Sequence, residues 1–461
     1  MAASDIGILS VKILGAKELK PGDWRPYCKL TYDKQKVKTK ASDDATNPSW
    51  NASFKFDVTS SVGELQVSVW DKSTKTFLGH VKIRLSSLEA GREHKQWFKL
   101  IPQQWKDKVK GSVHLAVEYT CQPAGDAKLS VDAFDLLKVL GKGSFGKVML
   151  VRKKDTGNLY AMKTLNKEVI IARDEVEHTR AEQRVLGQVN HPFIVGLKFS
   201  FQTDTKLYLI LDYVNGGELF FHLQNEVKFA PARCQFYAAE LTLALDYLHA
   251  LDVVYRDLKP ENILIANDGH LCITDFGLVK ENMAEGDTTS TFCGTAEYLA
   301  PEILKGEGYG KEVDWWSLGV LLFEMLTGLP PFYSNDTNTM YRKILYSDLV
   351  FPDDIPDVTQ DFIRKLLDRT PANRLGAGDG GGEAIKSHPY FANINWTKLV
   401  AKNITPPWTP DVKGEDDSSL FDPTFTDMPV VDSYVEPSGA LADAAKGAFE
   451  GFTYQADSAL R

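Results

Sequence analysis

The hydrophobic texture of the chain changes once, near residue 134, and that change limits the fold to a β-rich module followed by a mixed one. Upstream, apolar and polar residues alternate. Leu9, Val11 and Ile13 alternate with Ser10 and Lys12, and Leu65, Val67 and Val69 with Gln66 and Ser68. Val81, Ile83 and Leu85 alternate with Lys82 and Arg84. Val113, Leu115, Val117 and Tyr119 alternate with His114, Ala116 and Glu118. Period two with one apolar face is a half-buried strand, and many such strands between turn signals predict a β-sandwich over 6–119. Downstream, five short strand-like runs lead to segments of helical spacing. Phe236, Leu241, Ala244, Leu245 and Leu248 predict a helix over 236–250, and 314–327 is apolar nearly all round, hence a buried helix. The second is too short, and too charged at Asp314 and Glu324, to cross a membrane. Beyond Phe391 periodicity stops. Residues 401–461 carry 4 basic and 11 acidic side chains and six prolines, which reads as a tail rather than a third domain.

Charge and cysteine usage narrow the function classes. Residues 1–125 hold 20 Lys/Arg against 13 Asp/Glu, whereas 126–461 hold 33 against 49, so the two parts suit different partners. The larger, acidic part would repel phosphate, which argues against a nucleic-acid binder. Five scattered cysteines without C-x-x-C spacing argue for a reducing compartment and against a zinc module or disulfide frame. Met1 to Asp5 form no basic and apolar leader, so a cytoplasmic setting is expected.

Four polar clusters carry chemistry. Gly141-Lys142-Gly143-Ser144-Phe145-Gly146-Lys147-Val148 follows a strand over 136–140, and glycines let backbone N–H groups approach phosphate oxygens. The next segment, 148–152, reads as a strand, which excludes the dinucleotide-binding use of such glycines. Ala161-Met162-Lys163 ends the following strand, with Glu182 on the next helical segment where it can pair with Lys163. In Arg256-Asp257-Leu258-Lys259-Pro260-Glu261-Asn262, Asp257 can accept a hydroxyl proton, Lys259 can neutralise phosphate and Asn262 can bind a metal. Asp275 of Asp275-Phe276-Gly277 follows a strand over 271–274, and its carboxylate suits magnesium. Singly, each has a bland reading as a hairpin, a solvated lysine or a loop accident.

In this order and spacing the set resembles the protein-kinase signature over residues 134–391, with Ala300-Pro301-Glu302 and Asp314-Trp315-Trp316 also in place. Lys259 after Asp257 looks like a serine/threonine kinase, and 291–298 looks like the cyclic-nucleotide-dependent and protein kinase C (AGC) group. Ala296 departs from that group's usual proline. The resemblance implies ATP and Mg2+ as cofactors, with Leu211, Tyr213 and Glu218 joining residues 141–148, Ala161 and Lys163 at the nucleotide. It implies substrate arginines read by Glu218, Glu261, Glu297 and Glu324. It also implies activation through Thr291, whose phosphate would gather Arg256, Lys280 and His178 under the control of an upstream kinase. Phe449-Glu450-Gly451-Phe452-Thr453-Tyr454 is similar to that group's hydrophobic motif, with Phe449 and Phe452 docking beside the Glu182 helix and Thr453 a phosphoacceptor. Phe425 to Ser433 resembles its turn motif, with Ser433 the acceptor. Kinase and tail look most like fungal Ypk kinases and the serum- and glucocorticoid-induced kinases.

The N-terminal module resembles a C2 domain through Gly15 to Leu19, Asn47 to Asn51 and Val69 to Asp71. Of its calcium-loop acids Asp23 and Asp71 remain, Arg25 replaces another and residues 72–76 add none, so no calcium is expected. Lys34, Lys36, Lys38 and Lys40 alternate along one strand. They read either as guards on a solvated edge or as a surface for anionic membrane lipid. The expected fold is therefore a multidomain chain: an all-β sandwich over 1–122, a linker over 123–133, an α+β two-lobed kinase domain over 134–391 and a regulatory tail over 392–461. The expected setting is cytoplasmic, with possible membrane association. Two rivals stay open: a pseudokinase scaffold, which the intact polar set argues against, and a lipid-binding adaptor. Magnesium-dependent ATP turnover separates an enzyme from both.

Overall fold

The computed structural model describes residues 7–33, 35–58, 63–103, 107–121, 129–143, 145–284, 286–378, 380–432 and 447–455. Two units are distinguished: 1–135 with 152–158 and 455–461, and 136–151 with 159–454.

Among the described residues the alternation in the first unit becomes eight strands: β1 (Gly7–Lys17), β2 (Pro26–Tyr32), β3 (Gln35–Lys38), β4 (Ser49–Val58), β5 (Glu64–Asp71), β6 (Phe77–Arg84), β7 (Glu93–Lys99) and β8 (Ser112–Cys121). They form two four-stranded sheets, ordered β4-β1-β8-β7 and β3-β2-β5-β6. Leu9, Val11, Ile13, Leu30, Val67, Val69, Leu115 and Val117 share one buried core, and each buried aliphatic side chain contributes about 1.5–3 kcal/mol. The register of β1 slips between Ile13 and Gly15, where a Cβ on Gly15 would lie 2.6 Å from the Pro48 carbonyl oxygen. Asp71 is fully buried. Its Oδ1 accepts from the Arg25 N–H at 2.6 Å, and its Oδ2 from the Thr74 N–H at 2.6 Å and hydroxyl at 2.8 Å. Those oxygens are engaged within the loop, and the Arg25 guanidinium lies 2.8 Å from Asp43.

In the second unit β9 (Phe134–Lys142), β10 (Gly146–Lys153), β11 (Leu159–Asn166), β12 (Leu197–Gln202) and β13 (Lys206–Asp212) share one sheet, in which β13 pairs antiparallel with β11 and β12. α1 (Lys167–Ala172) and α2 (Val176–Gln188) lie between β11 and β12 in sequence. Lys163 sits mid-strand rather than at the strand end expected, because β11 continues to Asn166 opposite Lys206. The helical part follows: α3 (Leu219–Glu226), α4 (Pro231–Ala250), α5 (Pro301–Leu304) and α6 (Glu312–Thr327). Every residue of α6 from Val313 to Leu326 is buried, as its all-round apolar pattern requires, and Gly328 ends it at φ +91°. Between α4 and α5 a short hairpin, β14 (Ile263–Ile265) with β15 (Leu271–Ile273), pairs Ile263 with Ile273. Asn262 before it and Thr274-Asp275 after it therefore leave from the same end, joined by the Thr274 N–H to the Asn262 carbonyl at 2.9 Å. The tail adds a two-residue strand, β16 (Tyr454–Gln455), beside β12.

Candidate active site

A cleft of about 520 Å³ lies between the sheet and the helical part. The described residues 141–143, Phe145, Gly146, Val148, Ala161, Lys163, Leu211, Tyr213 and Glu218 all line it, together with Glu182, Glu261, Asn262 and Asp275. Ser144 lies outside the described residues. A Cβ built on Gly141 or Gly143 would meet nothing within 4 Å, so these two positions border open space; on Gly146 it would strike the Thr164 carbonyl oxygen. The wall opposite the loop carries the charge. Lys163 Nζ donates to Glu182 Oε1 at 2.7 Å and Asp275 Oδ1 at 3.0 Å. Burial opposes the Lys163 charge, but Asp275 and Glu182 outweigh it and hold the ammonium above the ordinary lysine range. Lys163 in turn holds the Asp275 carboxylate below its ordinary value, and that side chain remains half-exposed to the cleft.

The loop 256–262 is built around two anchors. Asp314, fully buried on α6, accepts from the N–H groups of Tyr255 at 2.9 Å and Arg256 at 2.7 Å. This holds Arg256 at φ +68°, a conformation costing roughly 1–3 kcal/mol that a non-glycine residue keeps only under such restraint. The second anchor is Asp257. Its Oδ2 accepts from Asn262 Nδ2 at 2.7 Å and lies 3.0 Å from Lys259 Nζ, and its Oδ1 accepts from the Thr295 hydroxyl at 3.2 Å. Lys259 also donates to Thr295 Oγ1 at 2.9 Å. Asn262 turns its amide nitrogen to Asp257, so its amide oxygen is the atom offered to a cation, alongside the Asp275 carboxylate. Oxygen donors at this spot fit a hard divalent ion beside a polyphosphate.

Residues 134–391 match the protein kinase domain family. The chain belongs to that family. Residues 7–100 of the kinase match the C2 domain, and 412–454 match the protein kinase C terminal domain. It is similar to the serine/threonine-protein kinase gad8 of Schizosaccharomyces pombe, 48% identical over 94% of this chain and 76% of the relative. It is also similar to the serine/threonine protein kinase ypkA of Aspergillus fumigatus, at 46% over 93% and 72%, and to YPK2/YKR2 of Saccharomyces cerevisiae, at 53% over 76% and 51%. The protein is a serine/threonine kinase of the AGC group, with a C2 domain ahead of the catalytic domain and the group's C-terminal tail behind it. As such it uses ATP and a divalent metal, and acts on proteins. No helix among the described residues is long and apolar enough to cross a membrane.

The other expected positions fall as follows. Glu324 is buried on α6 and accepts from the Tyr298 hydroxyl; burial, with Glu261 and Glu297 nearby, raises its pKa to about 7. Burial and Glu261 likewise raise Glu218. Thr291 and Thr453 are exposed. His178 is bonded to Glu175 at 2.5 Å, and the Arg256 guanidinium reaches neutral oxygens instead. Phe449 and Phe452 are buried in the kinase core, 0% and 3% exposed. Lys36 and Lys38 are exposed on β3, an edge strand, while Lys40 lies past its end. Ser433 and Lys34 lie outside the described residues. Sequence reasoning missed Phe421, a tail residue that lines the cleft and stacks on Tyr213 at 6.2 Å. It also gave no role to Thr295, though that residue lies within the 291–298 stretch.

Proposed function

We propose that this kinase transfers the γ-phosphoryl group of Mg2+-bound ATP to Ser or Thr hydroxyls preceded by arginine, under the control of Thr291, Ser433 and Thr453. Bound ATP with its metal supplies the phosphoryl group and neutralises its developing charge. Asn262 and Asp275 would hold that metal, and Lys163, kept in place by Glu182, would meet the phosphates. Asp257 would take the hydroxyl proton, with Lys259 and Thr295 fixing its orientation. The arginine preference rests chiefly on one observation. Glu261 has a buried carboxylate oxygen, Oε2, without a hydrogen-bond partner among the described residues, and its charge helps raise the pKa of both Glu218 and Glu324. Unpaired buried carboxylates are costly, and a guanidinium satisfies them bidentately.

A positionally randomised peptide library should select arginine upstream of the phosphoacceptor; indifference there, or a taste for acidic peptides, would refute the reading. The preference should also depend on pH. With its pKa raised to about 7, Glu324 is neutral below that pH and charged above it. Lowering pH from 8 to 6 should therefore raise KM for arginine peptides about tenfold, since hydrogen bonds to charged groups are worth about 1.5–3 kcal/mol. An otherwise identical peptide without the arginine is the control, and its KM should move far less.

The C2 module offers a second point of control. Lys36, Lys38 and Lys40 would meet anionic lipid, each contributing roughly 1 kcal/mol near the surface. Binding to phosphatidylserine vesicles without calcium should fall when all three become Gln, and should weaken with salt. Binding unchanged by the triple replacement would leave these lysines as edge-strand guards.

A further inference from the structure

Tyr309 is buried, 3% exposed, and it meets the activation segment through both backbone and side chain. Its N–H donates to the Thr289 carbonyl at 3.0 Å and its carbonyl accepts from the Thr289 N–H at 2.9 Å, an isolated antiparallel bridge. Its hydroxyl donates to the Thr291 carbonyl at 2.6 Å and accepts from Arg256 Nη1 at 3.3 Å. Cys293 Sγ lies 3.7 Å from the same oxygen. Because the one phenolic proton goes to Thr291, the thiol is the donor in that contact. The rest of the Arg256 guanidinium is engaged by carbonyls: Nε donates to Leu278 at 2.6 Å and Nη2 to Val279 at 3.3 Å. Among the described residues, the cation next to Asp257 is thus satisfied by neutral oxygens, and one of them is the phenol that also grips the loop carrying Thr291.

We infer that Tyr309 is a positioning residue of the activation segment, whose hydroxyl couples residues 291–293 to Arg256 and so to the catalytic loop while Thr291 carries no phosphate. The proposal rests on the reading of Thr291 as the activating acceptor. A phosphate there would bring charge-assisted bonds that supersede the neutral phenol contact. The contribution of Tyr309 should therefore be large before phosphorylation and small after it. A residue that merely supported the fold would matter equally in both states.

The test uses the full-length kinase in four samples: wild type and Tyr309→Phe, each with Thr291 unphosphorylated and with Thr291 phosphorylated, tail phosphate content being matched by mass spectrometry. Phe keeps the ring and both backbone bonds to Thr289, and only the hydroxyl contacts go. Without phosphate, kcat of Tyr309→Phe should fall about 5- to 20-fold, the range expected for losing a few hydrogen bonds, and amides of 289–293 should exchange faster. With phosphate, kcat should stay within about twofold of wild type. Equal losses in both phosphoforms, or no loss without phosphate, would overturn the proposal. Failure of the Thr291 reading shows separately, as equal kcat for the two wild-type samples. The unphosphorylated pair still decides the role of Tyr309 in that event.

Discussion

Replacing Asp257 with Asn should lower turnover by about 10²–10⁴-fold, the range of a lost general base, with ATP affinity nearly unchanged. Asp257 is met by three donors: Asn262 Nδ2, Lys259 Nζ and the Thr295 hydroxyl. A carboxylate has lone pairs for all of them on two oxygens, whereas an amide offers one oxygen and turns an NH2 group toward the rest. The substitution thus removes the proton acceptor and also sets donor against donor where Lys259 and Asn262 are oriented. The residues proposed to meet the nucleotide, 141–143, 145–148 and Lys163, line the cleft without bonding to Asp257, so nucleotide binding should survive. Rapid-quench assays alongside nucleotide binding would separate the two effects. Turnover within tenfold of wild type would remove Asp257 from the role of base; lost nucleotide binding would mean the cleft itself had collapsed.

Much of this site is legible in the sequence because its chemistry sits in contiguous runs. The loop 256–262 brings an ammonium and an amide within about 3 Å of one carboxylate, and a short turn anchored by Asp314 does so with neighbouring residues. The sandwich is equally legible, since period two marks a buried face in each strand of β1, β5 and β8. What escaped reading depends on long returns of the chain. Phe421 reaches Tyr213 across some two hundred residues, and an acidic, proline-broken tail has no periodicity to announce it. β16 is two residues long and likewise carries no pattern. The end of β11 was placed at Lys163, yet the strand runs on to Asn166, which pairs with Lys206 across the sheet. The neutral partners of Arg256 were missed for another reason. A cation in a signature motif suggests an anionic partner, whereas the fold supplies two carbonyls and a phenol in its place.

The paired change Phe449→Ala with Phe452→Ala should cost the kinase most of its activity without touching a group in the cleft. Both rings are buried and packed edge to face at 6.2 Å, and truncating a buried Phe costs about 3–5 kcal/mol where the segment stays docked. The docked segment is held on two sides. Arg180 Nη1 of α2 donates to the Ala448 carbonyl at 3.1 Å, and the Tyr454 hydroxyl donates to the Gly187 carbonyl of α2 at 2.7 Å. From β12 the Ser200 hydroxyl donates to the Phe452 carbonyl at 2.7 Å, and the amide of Gln202 to that of Phe449 at 2.9 Å. The tail therefore staples α2 to the sheet, and Glu182 lies on α2 between Arg180 and Gly187. Releasing the staple leaves the helix held by the packing of Ala181, Val185 and Leu186, the 2.6 Å Arg184–Glu281 ion pair and the 2.7 Å bond from Lys163 to Glu182. That bond draws a desolvated charge pair together and offers little surplus to hold the helix once the tail's packing is gone. The tail can shift the helix only by its differential affinity for the two positions, and couplings of this kind run to roughly 1–3 kcal/mol, or about 5–150-fold. Turnover of the double variant should fall within that range, and a phenylalanine-bearing tail peptide added in trans should restore part of it. Full activity with Thr291 phosphorylated to the wild-type level would reduce the tail to an appendage. A loss that the peptide cannot rescue would point to unfolding of the sheet rather than release of α2.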